Sequence, residues 1–333
     1  MTIDLLNQFR ISIEQFYIQN KRNLPWRKPS PVPYEVWLSE IILQQTRVAQ
    51  GIPYWERILK AFPTVEDLAE AEEDQLMSLW TGLGYYNRAR NLQKGAKQIV
   101  SKYGGQLPKS YEELLKITGI GPYTAAAIAS ICFDEKVGVV DGNVYRVLSR
   151  FFGIHTPINQ TAGIKEFQLL ANETIQNSSN PAFYNQGIME FGALHCTPRK
   201  PLCMMCELAD LCTAYNQGTV NELPVKIKKG KRTSEEIHYA VVRSSQGIAL
   251  RKRGTDSIWA GLYEPPRLKE APDNGRELAP SIVHKLSHKN LNCFFWEMHE
   301  GELAEPLTYY NREETKSLGM PIIVAKLVEN IKI

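Results

Sequence analysis

Residues 115–143 read Leu-Lys-Ile-Thr-Gly-Ile-Gly-Pro-Tyr-Thr-Ala-Ala-Ala-Ile-Ala-Ser-Ile-Cys-Phe-Asp-Glu-Lys-Val-Gly-Val-Val-Asp-Gly-Asn. Thr118–Gly121 is too glycine-rich for a helix interior, while Tyr111–Ile117 upstream and Tyr123–Ile131 downstream both carry helical patterning. Pro122 stands at the first position of the second helix, where the donor it lacks would have had no partner. The stretch therefore predicts a helix, a tight glycine hairpin and a second helix with an open N-terminus. Gly119 and Gly121 have no Cβ, so an anion such as a phosphate can come close to the backbone, and the helix dipole favours it there. Taken alone, a Gly-x-Gly between helices is only a turn; the rest of the chain has to decide.

The 333 residues suffice for two domains with sizeable cores. A hydrophobic content of 43% and a charged content of 23% are those of an ordinary globular protein, which excludes disordered and fibrous classes. The first ten residues contain no apolar signal core, and no stretch approaches the length of a membrane-spanning helix. A cytoplasmic location is expected, nucleoid-associated if the protein binds DNA. A net charge of +3 is too small to identify a polyanionic partner; where the charge sits matters more. Six cysteines without a secretory leader argue against a disulfide scaffold. Cys132 and Cys293 stand alone and are expected to pack as small apolar residues.

Leu5, Phe9, Ile13 and Phe16 mark a first helix over 5–18, and Arg22–Pro33 is a loop. Tyr34–Ile52 reads as one long helix, apolar nearly all round, with Glu40 inside the run. A carboxyl there sits either on a wet edge or in a dry site that raises its pKa and readies it to give up a proton near neutral pH. Thr64 and Asp67 form a near-capping box at the start of another helix. Leu79–Arg90 places Tyr85 and Tyr86 beside a glycine turn, followed by Arg88, Arg90 and Lys94. This is ordinary surface, or an aromatic wedge with a phosphate-facing basic helix. Asp141 follows the extended piece Val137–Val140 and precedes a helix over Val144–Arg150, where aspartate is also a favoured N-cap.

Two further helices fill 163–195, and then comes Cys196-x6-Cys203-x2-Cys206-x5-Cys212. Four thiolates in so short a span can hold one metal site; ligand chemistry alone allows zinc or an iron–sulfur cluster. Gln217–Ser234 lacks apolar periodicity and carries Lys226, Lys228, Lys229, Lys231 and Arg232. From Glu236 the hydrophobic period changes to two, as in a small α+β domain built on a sheet. The expected division is a catalytic domain over 1–215, a basic linker over 216–235 and a second domain over 236–333.

Leu-x-x-x-Gly-x-Gly-x-x-Thr-Ala followed by Asp141 resembles the helix–hairpin–helix of the endonuclease III-like DNA glycosylases. Trp37-Leu38-Ser39-Glu40-Ile41-Ile42-Leu43-Gln44-Gln45-Thr46 looks like the catalytic-glutamate helix of the adenine DNA glycosylases, the MutY family. Gly82-Leu83-Gly84-Tyr85-Tyr86 and the cysteine spacing are similar to the same group. The resemblance implies a mostly α helix-hairpin-helix glycosylase fold with a [4Fe-4S] cluster subdomain, plus a C-terminal α+β Nudix-like domain. It implies a structural [4Fe-4S] cluster on Cys196, Cys203, Cys206 and Cys212.

By the same resemblance, Glu40 protonates the departing adenine and Asp141 stabilises the oxocarbenium-like sugar, with Tyr123 and Asn143 in support. Arg22, Trp26, Arg27 and Gln186 surround the adenine pocket. Gln45, Thr46, Leu83, Tyr85, Gly119 and Gly121 meet DNA. His284-Lys285-Leu286-Ser287-His288 is similar to the family's Phe-Ser-His loop, with Leu286 in place of the aromatic, so Ser287 and His288 are expected to recognise 8-oxoguanine. The glutamate-rich helix that binds magnesium in Nudix hydrolases is missing, since Arg276-Glu277-Leu278 has no Glu-Glu pair after it. Tyr123 stands where bifunctional relatives carry the lysine that attacks the sugar, which predicts a monofunctional enzyme.

The expected partner is double-stranded DNA containing A:8-oxoguanine or A:G mispairs, met by a monomer away from any membrane. The alternatives are a catalytically silent DNA-damage binding protein and an endonuclease III-like glycosylase/lyase.

Overall fold

The computed structural model describes residues 2–227, 232–254, 258–273, 275–286, 289–303 and 306–331. Helix α1 (Ile3–Asn20) is capped by Thr2, whose hydroxyl accepts from Leu5 N at 3.4 Å, and it buries Phe9, Ile13 and Tyr17. Helix α2 (Pro33–Leu43) starts on a proline and buries every residue from Val36 to Ile42. The expected continuation to Ile52 does not occur. Gln45 has φ 57, a left-handed conformation that cannot propagate a right-handed helix, and α3 (Val48–Ala61) begins afresh. There follow α4 (Val65–Glu70), α5 (Glu73–Trp80), α6 (Asn87–Tyr103) and α7 (Tyr111–Leu114). Thr64 and Asp67 cap α4 reciprocally, at 3.0 Å from Thr64 N to Asp67 Oδ2 and 3.1 Å from Asp67 N to Thr64 Oγ1.

The glycine hairpin is tighter than its sequence suggests. α7 is a single turn, and Lys116, Ile117 and Ile120 then donate to the carbonyls three residues back, each at 3.1 Å. Gly119 has φ 86 and turns the chain into α8 (Pro122–Phe133). Thr124–Ser130 are all buried, so α8 is the central rod, packed against α2 and α11 (Pro181–Leu194). Between them run α9 (Gly142–Phe152) and α10 (Thr161–Ile175), and α12 (Thr213–Asn216) closes the cysteine segment.

The chain divides into two compact units: Met1–Trp55 with Thr64–Ala69 and Lys94–Lys228, and Glu56–Pro63 with Glu70–Gln93 and Lys229–Ile333. This grouping differs from a border at residue 215. α5 and the Gly82–Tyr86 turn belong to the second unit, held there by Ser78 Oγ donating to Lys316 O and Tyr86 OH to Met320 O, both at 2.7 Å. Part of the expected linker is docked on the first unit, with Ile158 N donating to Val225 O at 3.0 Å. Lys228, Lys229 and Lys231 lie outside the described residues.

The second unit is built on a sheet of order β6-β7-β1-β2-β8: β1 (Thr233–Ser244), β2 (Gly247–Ala249), β6 (Arg276–Lys285), β7 (Lys289–Met298) and β8 (Tyr309–Tyr310). Strand β5 (Arg267–Leu268) also pairs with β1, while β3 (Arg251–Lys252) and β4 (Tyr263–Glu264) form a separate ribbon. β1 and β7 run parallel, and alternate residues Ile237, Tyr239, Val241 and Leu291, Cys293, Phe295 turn to one core. Val324, Leu327 and Val328 of α14 (Ile322–Asn330), which follows α13 (Arg312–Lys316), cover that core. The described residues between β5 and β6 contain no helix, in keeping with the missing magnesium-binding segment.

Candidate active site

Glu40 reaches its position because α2 is buried on several sides. The residue is only 7% exposed, and desolvation lifts its pKa to about 7; the Asp141 charge adds to the rise, while a hydrogen bond from Tyr123 and the Arg27 charge oppose it. The wet-edge possibility for Glu40 is thereby removed. Tyr123, on the first turn of α8, also donates to Met189 Sδ at 3.2 Å.

Asp141 is the N-cap of α9, with Oδ1 accepting from Asn143 N and Val144 N, each at 2.8 Å. Asn143 Nδ2 donates to Oδ2 at 2.8 Å. Burial raises the Asp141 pKa, and these three hydrogen bonds with the Arg146 charge pull it back by favouring the anion. Arg146 in turn donates to Asn143 Oδ1 at 2.8 Å and, through Nε, to Cys196 O at 2.8 Å. The aspartate, its neighbouring asparagine and the first cysteine thus belong to one chain of hydrogen bonds.

Glu40, Asp141, Tyr123, Asn143, Arg22, Trp26, Arg27, Gln186 and Thr46 all line one cavity of about 930 Å³. Eight of them, all but Thr46, are the expected catalytic and pocket residues, drawn from five segments of the first unit. Glu190 is a site residue that sequence reasoning missed. Its side chain is 1% exposed and accepts from Arg22 Nε at 2.7 Å and Arg27 Nη2 at 3.0 Å in the same cavity. Burial pushes the Glu190 pKa up, but the two guanidiniums outweigh it and leave a value of about 2. A glutamate 168 residues from its arginine partner has no local signal. Cys132 also faces the cavity rather than a core, its thiol pushed up to about 12 by burial first and the Glu40 charge second.

Apart from Thr46, the expected DNA-facing residues do not line this cavity. Gln45 is exposed at the break between α2 and α3, and Gly121 leaves open space where a Cβ would project. In the second unit Tyr85 is 49% exposed with φ 49, whereas Leu83 is only 7% exposed, a correction to its expected place at the surface. Left-handed backbone at a residue with a Cβ costs about 1–2 kcal/mol, so both Gln45 and Tyr85 are held in strained tips. Arg88 and Arg90 do not form a phosphate-facing row: Arg88 is turned inward under Tyr85, and Arg90 pairs with Glu73 at 2.8 Å and donates to Ala260 O. Ser287 and His288 lie outside the described residues; beside them Leu286 N donates to Lys289 O at 2.8 Å, and Leu286 packs on the sheet core.

Cys196, Cys203, Cys206 and Cys212 line a second, small cavity of about 30 Å³ with Val147, Arg150 and Phe151. Arg150, 3% exposed, donates to Cys196 Sγ at 3.4 Å and to Thr197 O at 2.8 Å. Burial, with charge from the neighbouring thiols, raises the pKa of Cys206 to about 11 and raises those of Cys203 and Cys212. Four thiols gathered this way ionise together only against a positive centre, which fits a bound metal group. His195 lines the same cavity and keeps a buried Nε2 without a partner among the described residues.

Residues 38–170 match the HhH-GPD superfamily base excision DNA repair protein, residues 196–212 the iron-sulfur binding domain of endonuclease III, and residues 238–330 the NUDIX domain. Fold and cavity thus define a helix-hairpin-helix base excision repair glycosylase with a [4Fe-4S] cofactor and a Nudix-like second domain. The chain is 32% identical to the adenine DNA glycosylase of Buchnera aphidicola subsp. Schizaphis graminum over the full length of both. It is 43% identical to the adenine DNA glycosylase of Homo sapiens over 62% of this chain and 39% of that one. A thermostable thymine-DNA glycosylase superposes with a TM-score of 0.59 at 29% identity, covering 64% of this chain and 98% of that structure. A non-covalent endonuclease III–DNA complex does so at 0.54 and 23% identity, covering 64% and 97%, a likeness of fold. The chain belongs to the adenine DNA glycosylase family.

Proposed function

We propose that this enzyme hydrolyses the N-glycosidic bond of adenine paired with 8-oxoguanine or guanine, as a monofunctional monomer acting on double-stranded DNA in the cytoplasm. The observation that carries the reading is one buried carboxyl with a pKa near neutrality sharing a cavity with a hydrogen-bonded second carboxyl. A base stacked in a duplex is out of reach, so adenine must first be swung out of the helix into that cavity. Glu40 then gives its proton to the purine, making it a better leaving group. Positive charge builds on the sugar, and the Asp141 carboxylate, whose three donors and the nearby Arg146 charge favour its anion against burial, stabilises it. Tyr123 and Asn143 keep the two carboxyls in place.

Arg22, Trp26, Arg27 and Gln186 line the purine pocket, and Gln45, Thr46, Tyr85, Gly119 and Gly121 meet the duplex. The cluster, when bound by Cys196, Cys203, Cys206 and Cys212, supplies a structural cross-link that closes the segment after α11. In the second domain Ser287 and His288 are proposed to read 8-oxoguanine. The test is single-turnover adenine release from a duplex with adenine opposite 8-oxoguanine, with iron quantified in the same preparation. Binding without release would turn the reading into that of a silent damage-binding protein. Efficient borohydride trapping of a covalent protein–DNA adduct would overturn the monofunctional assignment, because Tyr123 forms no imine.

A further inference from the structure

Three of the five residues in the Gly82–Tyr86 turn are left-handed: Gly82 (φ 97), Gly84 (φ 71) and Tyr85 (φ 49). Such a turn has few backbone bonds of its own, so its shape depends on what lies beneath it. Arg88 lies there. Its guanidinium carbon is 5.3 Å from the centroid of the Trp80 ring and 5.7 Å from that of the Tyr85 ring. Its Nη2 donates to Leu83 O at 3.3 Å and Gly84 O at 3.1 Å, and its backbone N–H to Tyr85 O at 2.8 Å. Trp80, wholly buried, donates from Nε1 to the same Gly84 carbonyl at 3.1 Å.

The arrangement is a stack. A fixed indole supports a planar cation, and the cation supports an exposed phenol ring while gripping the two carbonyls that precede it. Burial also lowers the Arg88 pKa to about 10, the signature of a guanidinium withdrawn from water rather than spread toward phosphate.

We propose that Arg88 is a positioning residue that sets the angle of the Tyr85 ring, acting on DNA through Tyr85 and not by contacting phosphate. This rests on the reading of Tyr85 as the group that enters the duplex. The planar fork is what the site uses: two carbonyls and two ring faces are met at once, which a lysine ammonium cannot do.

The experiment uses the full chain with iron bound and a duplex carrying 2-aminopurine opposite 8-oxoguanine, whose emission rises when the base unstacks. Arg88→Met, Arg88→Lys, Tyr85→Ala and the double variant Arg88→Met/Tyr85→Ala are compared, each checked for unchanged melting. Arg88→Met and Arg88→Lys are both expected to slow base extrusion about tenfold, with binding to undamaged duplex within about twofold of the parent. In the Tyr85→Ala background the further loss from Arg88→Met is expected to fall below about twofold, because the two residues act as one.

Additive losses overturn the proposal. So does full rescue by Arg88→Lys, or a weakened, less salt-dependent affinity for undamaged duplex, either of which marks a phosphate contact. Normal extrusion in Tyr85→Ala sinks the reading of Tyr85 itself, whereas a defective Tyr85→Ala beside normal Arg88 variants sinks only the role given to Arg88. Should Arg88→Met melt early, Arg88→Lys, which keeps the cation, carries the comparison.

Discussion

Burial lifts the Glu40 pKa to about 7, and the Asp141 carboxylate, acting through space, adds to that rise. Release of adenine should therefore need Glu40 protonated. Single-turnover rates are expected to fall as pH rises through about 7, and to fall again in acid once Asp141 takes up a proton. Glu40→Gln should lower the rate by about 10² or more while duplex binding survives. Retained release in Glu40→Gln would remove Glu40 from the role of acid.

Asp141→Asn separates capping from catalysis. Asparagine caps a helix about as well as aspartate, so melting should change little. The rate should drop sharply, and the weaker proton affinity of Glu40 should move the falling limb of the pH profile to lower pH. A profile that stays where it was would show that the two carboxyls do not communicate.

The two buried glutamates have opposite effects on stability. The folded pKa of Glu40 lies above its ordinary 4.5, so its contribution is favourable at low pH and is lost as pH rises through about 7. Glu40→Gln should thus stabilise the protein at pH 8 by up to about 3 kcal/mol, read from urea unfolding. The folded pKa of Glu190 is depressed to about 2, so its contribution is present above 4.5 and is lost as pH falls toward 2. Glu190→Gln, which strands Arg22 and Arg27, should cost about 3 kcal/mol at neutral pH. An unchanged unfolding midpoint would mean that the arginines find other partners.

Replacing Ser287 and His288 together by alanine should erode the preference for 8-oxoguanine over guanine by about tenfold, the worth of one or two lost hydrogen bonds. Adenine release opposite guanine is the control and should hardly move. Unchanged discrimination would place lesion recognition elsewhere in the second domain.

Much of the site was legible because it is written in local pattern. The glycine hairpin, the carboxyl inside an apolar run and the cysteine spacing each announce themselves within a few residues. What was not legible depends on tertiary partners. The end of α2 is set by the backbone of Gln44, which leaves the helix at ψ 111, and of Gln45, which is left-handed, in a stretch whose apolar pattern runs on unbroken. Glu190 gains meaning only when α11 meets the loop before α2. The inward turn of Arg88 and Arg90 follows from aromatic and acidic neighbours that a count of basic residues does not contain.

The early end of α2 ties two tasks to one short lever. Glu40 sits on that helix and Gln45 just past its end, five residues along the chain. On the proposed duplex contact at that tip, a push there has little slack before it reaches the proton donor; engagement of DNA and readiness of the acid would then be mechanically geared, and a looser joint after Leu43 would let the enzyme grip without firing.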